Sequence, residues 1–254
     1  MKIALIQLSL SWENPIANRN HFEEKIASIT EPVDLIVLPE MFTSGFTMNR
    51  EIVFETMDGE TIMWLIHLAK AKNTAITGSL VIRENDNFYN RLVFVFPSGE
   101  IQFYDKRHLF TLAGEDGIYT AGKEKLIIEY KGWKICPLIC YDLRFPVFSR
   151  NTEDYDLLIY VANWPTIRIN AWDALLKARA IENMSFTIGV NRVGADDYKL
   201  DYNGHSQVID FLGNYILEPI EAKGVFIVEL DKAEQHIARK KFNFLNDRDF
   251  FLLK

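Results

Sequence analysis

The chain has only two cysteines, too few for a disulfide framework, so a reducing, cytoplasmic setting is the expectation. No run approaches the ~20 apolar residues that span a membrane, which excludes a helical membrane protein. The opening MKIALIQLSLSWENP contains Gln7 and lacks a small-residue cleavage site, so it reads as a first strand and not as a signal peptide. Basic residues are in the minority, 28 against 35 acidic ones for a net charge of −7, which argues against a nucleic-acid or anionic-membrane partner. No GxGxxG, P-loop, GxSxG or CxxC occurs, and His21, His67, His108, His205 and His236 form no close metal-ligand pair. A nucleotide or metal enzyme is disfavoured, and no cofactor is expected. No linker or low-complexity segment divides residues 1–254, which read as a single domain.

What is present is an alternation of strand and helix signals. Apolar runs from the N-terminus, from Asp34 to Glu40, from Ala75 to Val81 and from Arg91 to Phe96 predict strands, with Ile101 to Tyr104 following the Pro97–Glu100 turn. Phe22, Ile26 and Ile29 predict one amphipathic helix, and Ile62, Leu65, Ile66 and Ala69 another. The second half repeats this grammar. Asp156 to Trp164 resembles the Asp34–Glu40 strand, a helix carries Trp172, Leu175, Leu176 and Ala180, and a strand runs from Ser185 to Val190. The pattern implies an α/β layered fold with polar residues just past strand ends.

Three segments carry chemistry. Glu40 follows directly on an apolar strand; alone it also suits a solvated loop. Lys106 lies in Tyr104–Phe110, which alone also suits a charged surface turn. Cys140 ends an apolar strand and is followed at once by polar residues; alone it also suits a core cysteine. Together they suit a cysteine nucleophile that needs no histidine. Glutamate accepts the thiol proton, and lysine lowers the thiol pKa and donates to an oxyanion. Cys136, inside the strand, reads as packing.

The segments LPEMF, YDKRHLF and ICYDLRFP, in that order, resemble the glutamate, lysine and cysteine motifs of the nitrilase (carbon–nitrogen hydrolase) superfamily. ANWP, KARAIEN and NRVG extend the resemblance over nearly the whole chain. KRHLF followed by GED, with WPxxR at Trp164–Arg168, resembles the bacterial omega-amidase branch. The resemblance implies a four-layer α-β-β-α sandwich, a homodimer or larger homo-oligomer, and hydrolysis of a small 2-oxo acid amide. N-carbamoyl amidohydrolase and nitrilase are the alternative reactions. A protein that keeps the fold without the chemistry is a further alternative, disfavoured by the intact Glu40, Lys106 and Cys140.

By motif match Cys140 is the nucleophile, Glu40 the base, Lys106 the oxyanion cation and Glu115 a second glutamate near the substrate. Tyr141 supplies an N–H to the oxyanion. Trp164 and Arg168 are expected on the substrate side, with Arg168 holding the carboxylate, although it also suits a surface arginine at a helix start. Arg144 is expected to brace the nucleophile turn. Substitutions of Glu40 and Lys106 are expected to cost activity and little stability.

Overall fold

The computed structural model describes residues 1–252. Its strands are β1 (Lys2–Gln7), β2 (Leu35–Val37), β3 (Ala75–Glu84), β4 (Asn87–Val95), β5 (Ile101–Asp105), β6 (Ile128–Tyr130), β7 (Trp133–Ile139), β8 (Leu157–Val161), β9 (Phe186–Val190), β10 (Val193–Ala195), β11 (Asp201–Asn203), β12 (Ser206–Ile209), β13 (Tyr215–Ile220) and β14 (Gly224–Glu229). Its helices are α1 (Pro15–Ala27), α2 (Arg50–Val53), α3 (Glu60–Lys72), α4 (Pro146–Ser149), α5 (Ile169–Asn183) and α6 (Lys232–Phe242).

Two six-stranded sheets form, in the orders β14-β1-β2-β3-β4-β5 and β6-β7-β8-β9-β12-β13. Read in those orders, the successive pairings of both sheets are antiparallel, parallel, parallel, antiparallel, antiparallel. The repeated grammar of the sequence is therefore a repeat of topology. β2 and β8, the two strands whose sequences resemble each other, hold the same place in their sheets.

Strand alternation builds the layers. In β1 and β2, Ile3, Leu5, Leu35 and Val37 enter a core shared with Ile135, Leu157 and Val208 of the second sheet. Their neighbours Ala4, Ile6, Ile36 and Leu38 face the other way, onto Phe22 and Ile26 of α1 and Ile62 and Leu65 of α3. On the far side of the second sheet, α5 comes so close to β9 that a Cβ at Gly189 would lie 2.4 Å from Leu176 and 2.6 Å from Trp172. The result is the α-β-β-α sandwich.

Most expected elements are found, with shifted ends. The Asp34–Glu40 run yields only three strand residues, because Leu38 N–H still bonds Thr77 (2.7 Å) but Pro39 has no N–H to continue the ladder. α1 starts at Pro15, capped by the Asn14 side chain on Ala17 N–H (3.0 Å), and stops before Ile29. No apolar pattern pointed to β10–β14 or α6. α6 is mostly charged and polar and buries only Gln235 and Ala238, and β13 only part-buries its residues, so neither presents a run of buried apolar positions. Among the described residues no helix is long and apolar enough to cross a membrane.

Candidate active site

Polar residues gather where parallel strands end, the usual place for a site in α/β folds. Glu40 follows β2, Cys140 follows β7, Asn163 follows β8, and Lys106 follows β5. Glu40 and Lys106 thus come from one sheet, Cys140 and Asn163 from the other.

Lys106 and Glu115 are among the most enclosed charges of the chain, and Glu40 is fully buried beside them. Lys106 Nζ donates to Glu40 Oε1 at 2.8 Å and to both oxygens of Glu115 at 3.1 and 3.0 Å. Asn90 Nδ2 also donates to Glu40 Oε1 (2.8 Å), and the Asn163 N–H donates to Glu40 Oε2 (2.8 Å). Asn163 Nδ2 bonds the Glu40 carbonyl (2.6 Å). Glu115 Oε2 further accepts the Phe110 N–H at 2.6 Å. Buried charges persist only when paired and hydrogen-bonded in this way. Burial opposes the Lys106 charge, but Glu115 and Glu40 outweigh it and hold its pKa above the ordinary lysine value. Burial, aided by the Glu40 charge, raises Glu115 above the usual carboxylate range against the pull of Lys106.

Cys140 opens a short 3₁₀ turn with φ of +44°, a conformation non-glycine residues rarely adopt and one that clusters at functional sites. The residue is half-buried, and its Sγ lies 4.0 Å from the Asn163 carbonyl. Its thiol pKa is pushed well above the ordinary value by burial and Glu40, against the pull of Lys106. Lys106 does pull the thiol pKa down, as expected, but burial and the Glu40 carboxylate outweigh that pull. Cys136 is fully buried in the inter-sheet core, as expected of a packing residue.

Above these residues opens a cavity of about 240 Å³ whose wall includes Lys106, Cys140, Tyr141, Trp164 and Arg168. Glu40 and Glu115 lie behind that wall, so Glu115 touches Lys106 and not the cavity. Phe46, Met48 and Phe110 make an apolar side, and the β10–β11 hairpin contributes Asp196, Tyr198, Leu200 and Tyr202. Tyr141 packs edge-on against Phe110, with ring centroids 4.9 Å apart. Arg168 stands at the start of α5, yet its guanidinium reaches the cavity, 5.2 Å from the Phe110 ring centroid. Trp164 Nε1 bonds the Arg168 carbonyl (2.8 Å), which fixes that turn.

Glu115, expected near the substrate, instead backs Lys106 from outside the cavity lining, and Arg144 also departs from its expected place. It does not brace the Cys140 turn; it lines the cavity, with its guanidinium 5.1 Å from the Trp164 ring centroid. The brace is Asp142, whose Oδ2 accepts the Ile139 N–H at 2.9 Å. Among the described residues neither Arg144 nor Arg168 has an ion-pair partner, and no cluster of side chains suits a metal ion. Sequence reasoning passed over Asn90, Asn163 and Asp142. Asn163 and Asp142 lie inside the quoted motifs, where a polar residue next to an apolar strand end was the available signal. Asn90 lies within a strand and offered none.

The carbon–nitrogen hydrolase family model matches residues 2–239. The chain is 44% identical to the omega-amidase YafV of Yersinia enterocolitica, covering 100% of this chain and 98% of the relative. It is 33% identical to the 2-oxoglutaramate amidase of Bacillus subtilis, covering 96% of each. A Xanthomonas campestris protein of the same superfamily, solved with an arsenic adduct in its active site, superposes with a TM-score of 0.96 at 44% identity, covering 100% of this chain and 99% of that one.

Proposed function

This chain belongs to the carbon–nitrogen hydrolase family, and from that premise we propose that it is an omega-amidase. It hydrolyses the terminal amide of a small 2-oxo acid such as 2-oxoglutaramate or 2-oxosuccinamate, releasing ammonia. One observation carries the reading. A half-buried cysteine beside a buried glutamate–lysine–glutamate cluster shares a cavity with two guanidiniums that lack protein counter-ions.

Each part has a task. Glu40 takes the Cys140 proton as the sulfur attacks the amide carbon. That pairing suits a thiol that its surroundings keep neutral until the base acts. Lys106 and the Tyr141 N–H donate to the oxyanion, a contact of the kind whose loss costs about 10²–10³ in turnover. The amide nitrogen takes a proton and leaves as ammonia, which gives a thioester. Water, deprotonated by Glu40, then releases the acid. Glu115 acts from behind, holding the Lys106 ammonium in place. Arg168, joined by Arg144, anchors the substrate carboxylate, for which a guanidinium fork is the best geometric match. We also propose a homo-oligomer, whose interface would cover exposed apolar side chains such as Ile181, Leu212 and Ile216.

The test is ammonia release from 2-oxoglutaramate and from a neutral amide of similar size, in wild type and Arg168→Ala. The anionic amide is the preferred substrate, and the substitution raises its KM far more than that of the neutral amide. Loss of one charge-assisted contact corresponds to roughly 1.5–3 kcal/mol. Equal losses would remove the carboxylate anchor, and preference for a nitrile or carbamoyl acid would replace the reading with that reaction.

A further inference from the structure

We infer that Asp142 is a positioning residue for this reaction: one buried carboxylate holds the Lys106 loop and the Cys140 turn in register. The inference rests on the reading of Cys140 as nucleophile and Lys106 as its oxyanion partner.

The two groups arrive from different sheets. Each ladder fixes its own strands, but neither fixes the loop of one sheet relative to the loop of the other. Two polar clasps cross that gap at the site. One is Asn163 on Glu40. The other is Asp142, which is fully buried and stands two residues after Cys140. Its Oδ2 accepts the Ile139 N–H (2.9 Å), immediately before Cys140, and the Tyr104 hydroxyl (2.8 Å). Its Oδ1 accepts the His108 N–H (3.1 Å) and meets His108 Nδ1 at 2.7 Å. Tyr104 and His108 bracket Lys106, two residues to either side. The Tyr104 oxygen also accepts the Arg107 N–H (3.1 Å), so the lysine loop is held at successive points.

The surroundings leave this clasp little play. The His108 ring lies flat on Phe145, with centroids 3.6 Å apart and planes within 7°. Tyr104 is fully buried, and burial with the Asp142 charge raises its pKa, which keeps the phenol a donor. Asp142 itself is not part of the cavity wall, so it acts through the two loops and not on substrate. The turn it ties down holds Cys140 at a positive φ, a geometry that persists only where the surroundings over-determine it.

Asp142→Asn keeps the side-chain volume but leaves one acceptor oxygen and an NH₂ that faces donors. It must give up either the His108 side or the Ile139 and Tyr104 side. We expect kcat per folded active site to fall about 10²-fold, the scale of a 1 Å misplacement, with KM for 2-oxoglutaramate little changed. Alkylation of Cys140 by iodoacetamide slows in the same variant. Tyr104→Phe removes one donor while keeping the ring, and shows the same split with a smaller fall. If Asp142→Asn does not fold, Tyr104→Phe decides by the same criteria. Unchanged kcat per folded site, or a rise in KM alone, overturns the inference and leaves Asp142 a stability residue. A wild-type protein that is alkylated at Cys140 yet releases no ammonia from any amide would strike the proposed function instead, and the alkylation rates alone would then judge Asp142.

Discussion

Burial and the Glu40 carboxylate raise the Cys140 thiol against the pull of Lys106, so near neutral pH the resting site holds a thiol and not a thiolate. Alkylation of Cys140 by iodoacetamide should therefore keep climbing as pH rises past ~8.5, the value of a free thiol. A rate that levels off below that pH would show a pre-formed thiolate. Cys136→Ala should keep most activity, because that sulfur is enclosed in the inter-sheet core. The buried cluster also changes what Lys106→Met means. Sequence reasoning expected little loss of stability, but removing Lys106 leaves Glu40 and Glu115 buried without their cation. Breaking such a pair costs about 3–5 kcal/mol. Glu40→Gln keeps an acceptor for Lys106 and leaves the Lys106–Glu115 pair. The expected result by thermal melting is a clear drop for Lys106→Met, a smaller one for Glu40→Gln, and turnover lost in both. Equal melting temperatures for Lys106→Met and wild type would contradict the buried-cluster account.

Between elements, the lysine depends on how closely two chain segments approach. The Gly122 N–H bonds the Lys106 carbonyl at 2.9 Å, and a Cβ at Gly122 would lie 2.0 Å from the Asp105 carbonyl oxygen. No rotamer relieves a clash with backbone, so Gly122→Ala has to push Lys106 from its seat at the end of β5. Loss of turnover with a lowered melting temperature is expected, whereas alanine at Gly114, which has nothing within 4 Å of its would-be Cβ but a φ of +72°, should cost only backbone strain. Equal activity in the two variants would contradict the close approach. The same scale explains what could be read from sequence. Helices with one apolar face were legible because their burial is periodic, as in α3 and α5, and β1 was legible as a short continuous apolar run buried on both faces. The site was legible where a charged or nucleophilic residue abuts an apolar strand end, as with Glu40 and Cys140. Asn90 and the β10–β11 hairpin were not, because their place at the site is set by pairing between segments distant in sequence. Arg144 was misassigned for the same reason: its direction out of the 3₁₀ turn into the cavity is a tertiary fact.

Across the whole molecule, Tyr104, Tyr119, Tyr155, Tyr160 and Tyr202 all have pKa values raised first by burial. In the unfolded chain they titrate near ~10. A group whose folded pKa is raised gives stability that is full below the unfolded pKa and is lost as pH climbs toward the folded one. Lys106 adds the same sign from its own unfolded value of ~10.4. The thiols of Cys136 and Cys140 are raised in the same way from an unfolded value of ~8.5, so the melting temperature should begin to fall past about pH 8.5 and drop steeply beyond ~10, with phenolate absorbance at the buried tyrosines appearing only together with unfolding. Early, non-cooperative ionisation of all tyrosines would contradict the packing described for the two sheets. The central claim is that this fold carries out amide hydrolysis through an acyl group on Cys140. Acid quenching of wild type during turnover of 2-oxoglutaramate, followed by peptide mass spectrometry, tests it most directly. The account predicts a thioester on the peptide bearing Cys140, absent from Cys140→Ala, while ammonia accumulates; ammonia release by Cys140→Ala at the wild-type rate, or an acyl group carried by Cys136, would contradict it.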